Sequence, residues 1–263
     1  MRQATEWRPA AKPALAAALA CWLAAGSLPA TAQTDEIQVY TGEINAPGRF
    51  SVTLHNNYTP IGRRQPEFSG AIIPDGALNG VAEYAYGVNE WFELGLYLPL
   101  YSITRDGGLR IDGGKLRALF AVPNAPERSF LYGVNFELSY NAPHWASTRY
   151  AAEMRPIIGW RFGAVDLILN PIVDLPFNGI GAASFAPAER IAYNLSKSWA
   201  LALEHYQDYG RFAHFERADR QDQTLFAVVD YADEPLDIQL GIGHGFTAAS
   251  DALILKLIVT RGF

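Results

Sequence analysis

Residues 157–170 of this chain read IIGWRFGAVDLILN, and this stretch decides the fold. If Gly163 and Ala164 form a two-residue turn, Arg161 pairs with Asp166 across a β-hairpin. Glycine at the first central position suits a type II′ turn. A shift of one residue would mix the two faces, so the sequence predicts the register as well as the hairpin. In this register one face is apolar and carries Ile158, Trp160, Phe162, Val165, Leu167 and Leu169.

The same alternation of apolar with small or polar residues continues from about residue 49 to 263, in roughly a dozen runs. One run sets Glu93, Gly95, Tyr97 and Pro99 against phenylalanine and leucines. No segment of helical length shows a period of 3.6 residues. The pattern therefore predicts an all-β chain built from antiparallel strands.

The links between the runs are alternately short and long. This alternation is typical of a transmembrane antiparallel β-barrel, which has short periplasmic turns and long outer loops. We expect about twelve strands in the cell outer membrane, although ten or fourteen also fit. The eighth and tenth, near 188–195 and 223–231, have the weakest pattern. The short links are 88–90, 123–128, 163–164, 196–198 and 232–235, and the long ones are 59–75, 103–113, 175–187 and 207–221.

The two ends of the chain carry signals of export and assembly. Residues 1–32 combine basic residues, an apolar stretch and a small-residue cleavage site, as in a cleaved secretory signal peptide. A membrane anchor and lipid attachment at Cys21 are less favoured alternatives. We expect 49–263 to form the barrel and 33–48 a plug in the lumen, a periplasmic tail or a partial thirteenth strand. A final strand ending in Phe263 resembles the signal read by the barrel-assembly machinery.

Charged residues recur on the face opposite the apolar one. Because a charge facing hydrocarbon is costly, we expect these side chains to line the lumen. They fit either a polar channel for passive or facilitated passage of small solutes or a closed structural barrel filled with ion pairs. The predicted lumen residues are Glu83, Glu93, Lys115, Arg117, Glu137, Glu153, Arg155, Arg161, Asp166, Asp174 and Glu204.

Other functional classes have little support in the sequence. The net charge is −6, with no basic patch for a nucleic acid. Five scattered histidines indicate no metal site, and we expect no cofactor. A lipid-modifying hydrolase in the barrel is the alternative function, but His55, and His205 near Asp208, lack a well-placed serine. We therefore predict that the protein is not an enzyme.

The long loops carry interleaved aromatic and basic residues. Examples are Arg63 and Arg64 in the first loop, and Arg211, Phe212 and Arg217 in the loop 207–221. On an outer-membrane protein, these residues suit contact with lipopolysaccharide phosphates. The expected partners are thus outer-membrane lipid, lipopolysaccharide, the barrel-assembly machinery and a small-molecule solute.

Four stretches resemble a proteobacterial outer-membrane family. They are HNNYTP at 55–60, AEYAYG at 82–87, WFELG at 91–95 and YGVNFE at 132–137. The family is the one named for a MetA pathway of phenol degradation. The resemblance runs loosely over most of the chain after residue 32. It implies an outer-membrane barrel that admits aromatic or other apolar small molecules, and it assigns no catalytic or binding residue.

Overall fold

The computed structural model describes residues 36–263. The predicted signal peptide and Cys21 lie outside the described residues. Most of the described range is antiparallel β-strand, with two single-turn 3₁₀ helices at Ala125–Glu127 and Ile180–Ala182. Within the same range, no helix is long and apolar enough to span a membrane.

Twelve long strands pair in chain order and close into a ring, because β1 pairs with both β2 and β12. Closure leaves no sheet edge in hydrocarbon, where each unpaired backbone group would cost several kcal/mol. The predicted fold is confirmed, including the eighth and tenth strands. The strands are β1 Phe50–Ile61, β2 Leu78–Asn89, β3 Phe92–Ile103, β4 Gly114–Ala121, β5 Phe130–Tyr140, β6 Tyr150–Phe162, β7 Val165–Asn170 continued by Val173–Pro176, β8 Ala188–Asn194, β9 Trp199–Asp208, β10 Asp222–Asp233, β11 Leu236–Gly245 and β12 Leu253–Gly262.

Short turns and long loops lie at opposite ends of the barrel, as predicted. The sequence did not indicate the outer loops 141–149 and 246–252, which the twelve strands require. Short two- or three-residue strands occur within the outer loops. They are Leu109–Ile111, Ser184–Phe185, Gly210–Arg211 and His214–Phe215.

The hairpin between β6 and β7 has the predicted register. Arg161 is the partner of Asp166, and Trp160 is the partner of Leu167. Gly163 has a φ of 63°, which a type II′ turn requires at this position and which glycine adopts without strain.

One predicted face is wrong at a single position. Pro99 was expected to face the same way as Tyr97, but Pro99 is exposed and Leu100 is buried. The register between β2 and β3 shifts between Val81 and Glu83. This irregularity reverses the alternation beyond Leu98, so that Leu100 and Ser102 face inward.

Candidate functional site

All eleven predicted lumen residues lie on the inward face of the strands. Residues that pair across neighbouring strands lie on the same face. Thr53 pairs with Glu83, Glu83 with Tyr97, and Tyr97 with Lys115. Seven of the eleven are less than one-tenth exposed: Glu83, Glu93, Lys115, Arg117, Glu137, Arg155 and Glu204. The other four, Glu153, Arg161, Asp166 and Asp174, are half-buried.

Ion pairs on β2–β5 form the first of two clusters in the lumen. The guanidinium of Arg117 lies 2.9 Å from Glu83 and also contacts Glu93. The ring of His55 lies 3.1 Å from the other oxygen of Glu83. Lys115 Nζ lies 3.6 Å from Glu137. These buried carboxylates therefore have a positively charged or hydrogen-bonding neighbour, which offsets part of the cost of removing charge from water.

The second cluster lies on β8–β10 and β12. Arg190 contacts both Glu204 and Asp230, and Lys256 contacts Glu204. Tyr206 donates a hydrogen bond to Glu204 over 2.6 Å. Sequence reasoning found Glu204 but missed Arg190, Asp230 and Lys256. A signal was present for Lys256, since it lies between Leu255 and Leu257, which face outward.

Residues 36–45 run through the lumen between these clusters without forming a strand. The backbone N–H of Tyr40 donates to Asn170 Oδ1 over 2.7 Å, and Asn170 Nδ2 donates back to the Tyr40 carbonyl over 3.0 Å. The Tyr40 hydroxyl shares a 2.6 Å hydrogen bond with the Tyr97 hydroxyl and donates to Glu137 over 3.3 Å. The guanidinium of Arg155 lies 4.5 Å from the centre of the Tyr40 ring. Tyr40 is thereby held by four strands of the wall.

Other contacts fix the segment on either side of Tyr40. Lumen side chains donate to its carbonyls, Arg155 to Gln38 over 3.0 Å and Lys256 to Ile37 over 3.2 Å. Further along, the backbone N–H of Asn45 donates to Glu93 over 2.6 Å. Apolar packing adds to these bonds, because Val39 is buried in a cluster with inward residues of β4–β8.

A polar cavity of about 670 Å³ remains at the end with the short turns. Residues 38–45 form one side of it, and charged side chains of β6–β11 form much of the rest. Arg161, which faces this cavity, lies 3.5 Å from Asp166 and 3.9 Å from Glu43.

The opposite end is narrowed by the outer loop 141–149. The Trp145 ring packs against Val81, Tyr97 and Leu100, and its Nε1 donates to Ser102 over 2.5 Å. The mouth on the outer side is therefore partly covered by a side chain that the sequence did not identify.

Ion pairs also hold the first outer loop. Arg63 lies 3.3 Å from Asp251 in the loop 246–252, and Arg64 lies 3.7 Å from Asp75. The backbone N–H of Gly62, together with the nearby Arg105 and Arg64 guanidinium groups, lowers the pKa of Asp75 from its ordinary value. Arg63 and Arg64, two of the arginines proposed for lipopolysaccharide contact, are thus engaged with carboxylates of the protein itself.

The other residues singled out from the sequence, His55, His205 and Phe263, do not come together in one site. His55 faces the lumen, whereas His205 faces outward and contacts Glu189 at 2.9 Å. Phe263 is half exposed, and its N–H donates to the Phe50 carbonyl over 2.7 Å. In the described range, no three His, Cys, Asp or Glu side chains are grouped as a metal ion would require.

No family model matches the chain, and no curated protein matches it either. Several solved structures match the chain in fold. A KdgM porin is 10% identical with a TM-score of 0.55, and the match covers 81% of this chain and 99% of the porin. A KdgM porin in complex with disordered oligogalacturonate is 11% identical with a TM-score of 0.52, covering 81% and 99%.

A third structure is the COG4313 outer membrane channel from Pseudomonas putida F1. It is 13% identical with a TM-score of 0.55, and the match covers 87% of this chain and all of the channel. Identities this low establish the fold and nothing finer. Together with the closed ring and the exposed apolar outer face, they show that the chain is a twelve-stranded β-barrel of the bacterial outer membrane.

Proposed function

We propose that the protein is an outer-membrane channel for small solutes. The observation that carries this proposal is the polar inward face, which has charged side chains on most strands and a cavity of about 670 Å³. Apolar side chains would stabilise the interior of a purely structural barrel more than ion pairs do, because burying ion pairs costs desolvation energy. The fold shared with porins supports the same conclusion.

We further propose that residues 36–45 close this channel, so that passage requires their displacement. The segment is held by hydrogen bonds and ion contacts to side chains, which water can replace, and not by strand pairing. Displacement of the segment distinguishes a closed channel from a purely structural barrel, in which residues 36–45 would never leave the lumen.

The chemistry of the solute stays a prediction. The resemblance to the phenol-degradation family implies aromatic or apolar molecules. The side chains around the cavity favour polar ones, because Arg161, Asp166 and Asp230 would each lose contact with water beside an apolar solute.

Liposome swelling tests the channel proposal. Purified protein in liposomes should admit arabinose faster than protein-free liposomes do, and a variant lacking residues 36–45 should admit it faster still. Benzoate in a parallel series would separate the two solute classes. Rates equal to those of protein-free liposomes, for both the intact protein and the variant, would rule out the channel and favour a structural barrel.

The hydrolase alternative is disfavoured by the contacts of both candidate histidines. His55 Nε2 contacts Glu83 in the lumen, and His205 Nδ1 contacts Glu189 on the outer wall. Neither contact brings a serine hydroxyl to the ring, so a nucleophile of the kind used in lipid hydrolysis is not in place. We therefore propose that the protein has no enzymatic activity. Binding to lipopolysaccharide and to the barrel-assembly machinery also stays a prediction.

A further inference from the structure

Trp145 lies on the outer loop 141–149, and its side chain contacts the wall of the lumen. A 2.7 Å hydrogen bond from the Asn141 N–H to the Arg149 carbonyl closes this loop at its base. The indole Nε1 donates to Ser102 over 2.5 Å, and Ser102 is fully buried on the inward face of β3. The polar end of the indole is therefore anchored to the wall, while its backbone belongs to a loop.

The indole ring also packs against a buried apolar cluster formed by Val81, Tyr97 and Leu100. Val81 lies on β2, and Tyr97 and Leu100 lie on β3, so strand pairing fixes the backbone of all three. Among the described residues of this cluster, Trp145 alone lies in a loop. Trp145 can therefore move without breaking a strand, whereas the other three residues cannot.

Tyr97 connects this cluster to residues 36–45. Its ring is fully buried in the cluster, and its hydroxyl shares a 2.6 Å hydrogen bond with the Tyr40 hydroxyl. The same Tyr97 hydroxyl also bonds to Glu83 on the neighbouring strand. Because a phenol ring is rigid and the cluster is close-packed, the packing of the ring determines where its hydroxyl lies. A change in that packing therefore changes the position of the group that holds Tyr40.

We propose that Trp145 is a positioning residue that keeps residues 36–45 in the lumen, acting through Tyr97. This inference rests on the proposed function, because it concerns the segment that closes the channel. With the indole in place, the Tyr97 ring is close-packed and its hydroxyl is aligned with Tyr40. Displacement of the indole leaves space beside the ring, so the hydroxyl loses this alignment and the segment is released more often.

The arrangement couples the outer mouth of the barrel to the segment inside it. Ser102, which binds the indole, is the penultimate residue of β3 at the outer end. A solute that enters from the outside therefore meets Trp145 before it reaches the segment. By pushing the indole aside, the solute also weakens the hold on Tyr40. Coupling of this kind is reciprocal, so displacement of the segment also loosens the indole.

The rate at which a water-soluble maleimide labels Val39→Cys in the folded barrel tests the proposal, because Val39 is buried beside Tyr40. Trp145→Ala should raise this rate by about 5- to 150-fold, as loss of the Tyr40 hydroxyl should, because both act through one hydrogen bond. In a chain that already carries Tyr40→Phe, Trp145→Ala should raise the rate no further. Trp145→Phe, which keeps a ring against Tyr97, should label nearly as slowly as the parent protein.

Trp91→Ala is the matched control, because it removes an indole that is half exposed at the short turn before β3. It should leave the labelling rate unchanged. Heat-dependent migration on a denaturing gel would verify that each variant is folded. If Trp145→Ala does not fold, Ser102→Ala takes its place, since it removes the acceptor that anchors the indole. Ser102→Ala should also raise the rate, and only in the presence of the Tyr40 hydroxyl.

Two outcomes would overturn the proposal while leaving the closed channel intact. One is an equal increase with and without the Tyr40 hydroxyl, because Trp145 would then only cover the mouth and slow the entry of the reagent. The other is an unchanged rate in Trp145→Ala when Tyr40→Phe alone raises it. An unchanged rate in both single variants would overturn this proposal together with the closure on which it rests.

Discussion

Removing a single hydroxyl group at Tyr40 should open the lumen more often. The Tyr40 hydroxyl bonds to Tyr97 over 2.6 Å and to Glu137 over 3.3 Å, and Tyr40 is only 4% exposed. Tyr40→Phe keeps the ring and its contact with Arg155 but leaves the Tyr97 hydroxyl without this partner. Loss of a buried hydrogen bond of this kind costs about 1–3 kcal/mol.

That cost applies to the closed state alone, because water can hydrogen-bond to the Tyr97 hydroxyl, and to the Tyr40 hydroxyl of the wild type, once the segment is displaced. A change of 1–3 kcal/mol corresponds to a rise of about 5- to 150-fold in the open fraction. Cysteine at position 39 would measure this fraction, since Val39 is 3% exposed in the closed lumen. Cys21, the only cysteine in the chain, lies in the predicted signal and would be replaced by serine.

The assay is the rate at which a water-soluble maleimide labels Val39→Cys in the folded barrel, with and without Tyr40→Phe. We expect the rate to rise by the factor given above. Tyr132→Phe, which removes a hydroxyl from the outer wall, should leave it unchanged. An unchanged rate in Tyr40→Phe would refute the claim that this hydroxyl holds the segment, and fast labelling in the parent protein would refute the closed lumen.

Four further outcomes follow from the same contacts. Cysteine at Trp160 should resist water-soluble thiol reagents in lipid because the side chain faces outward, and ready labelling there would contradict the assigned faces. Arg161→Glu should raise the cation preference of the conductance, and the shift should shrink at 1 M salt, where the Debye length is ~3 Å. Lys256→Met should lower the free energy of unfolding in urea by about 3–5 kcal/mol, since Glu204 loses a buried cation. The pKa of Asp75 is lowered, so hydrogen-exchange protection of loop 62–77 should persist from neutral pH to below the ordinary aspartate pKa of 3.8. This protection should be lost only as the pH falls through the lowered pKa. In the variant Asp75→Asn, the protection should be lost at every pH.

The strands and their sidedness could be predicted because they depend on local patterns. The Gly163 turn fixes which residue of β6 meets which residue of β7, and a period of two then assigns each side chain to lipid or lumen. The error at Pro99 arose because a bulge is set by the pairing of two strands. Nothing in the alternation of β3 alone reveals it.

The contents of the lumen could be predicted only in part. The inward charges follow from alternation, but their partners do not. Lys256 meets Glu204 from 52 positions away, and Tyr40 meets Asn170 from 130 positions away. For the same reason, the sequence left 33–48 open as plug, tail or strand. His205 and Glu189 were separable from the lumen set only once the register of β8 and β9 was known.

Single-channel recording in planar bilayers tests most directly whether residues 36–45 close a channel. The intact protein should show long closed periods with rare openings. A variant in which residues 36–45 are replaced by glycine and serine at equal length should show steady conductance, provided that it still migrates faster unboiled than boiled on a denaturing gel. Identical records from the two folded proteins, whether both silent or both open, would contradict the account.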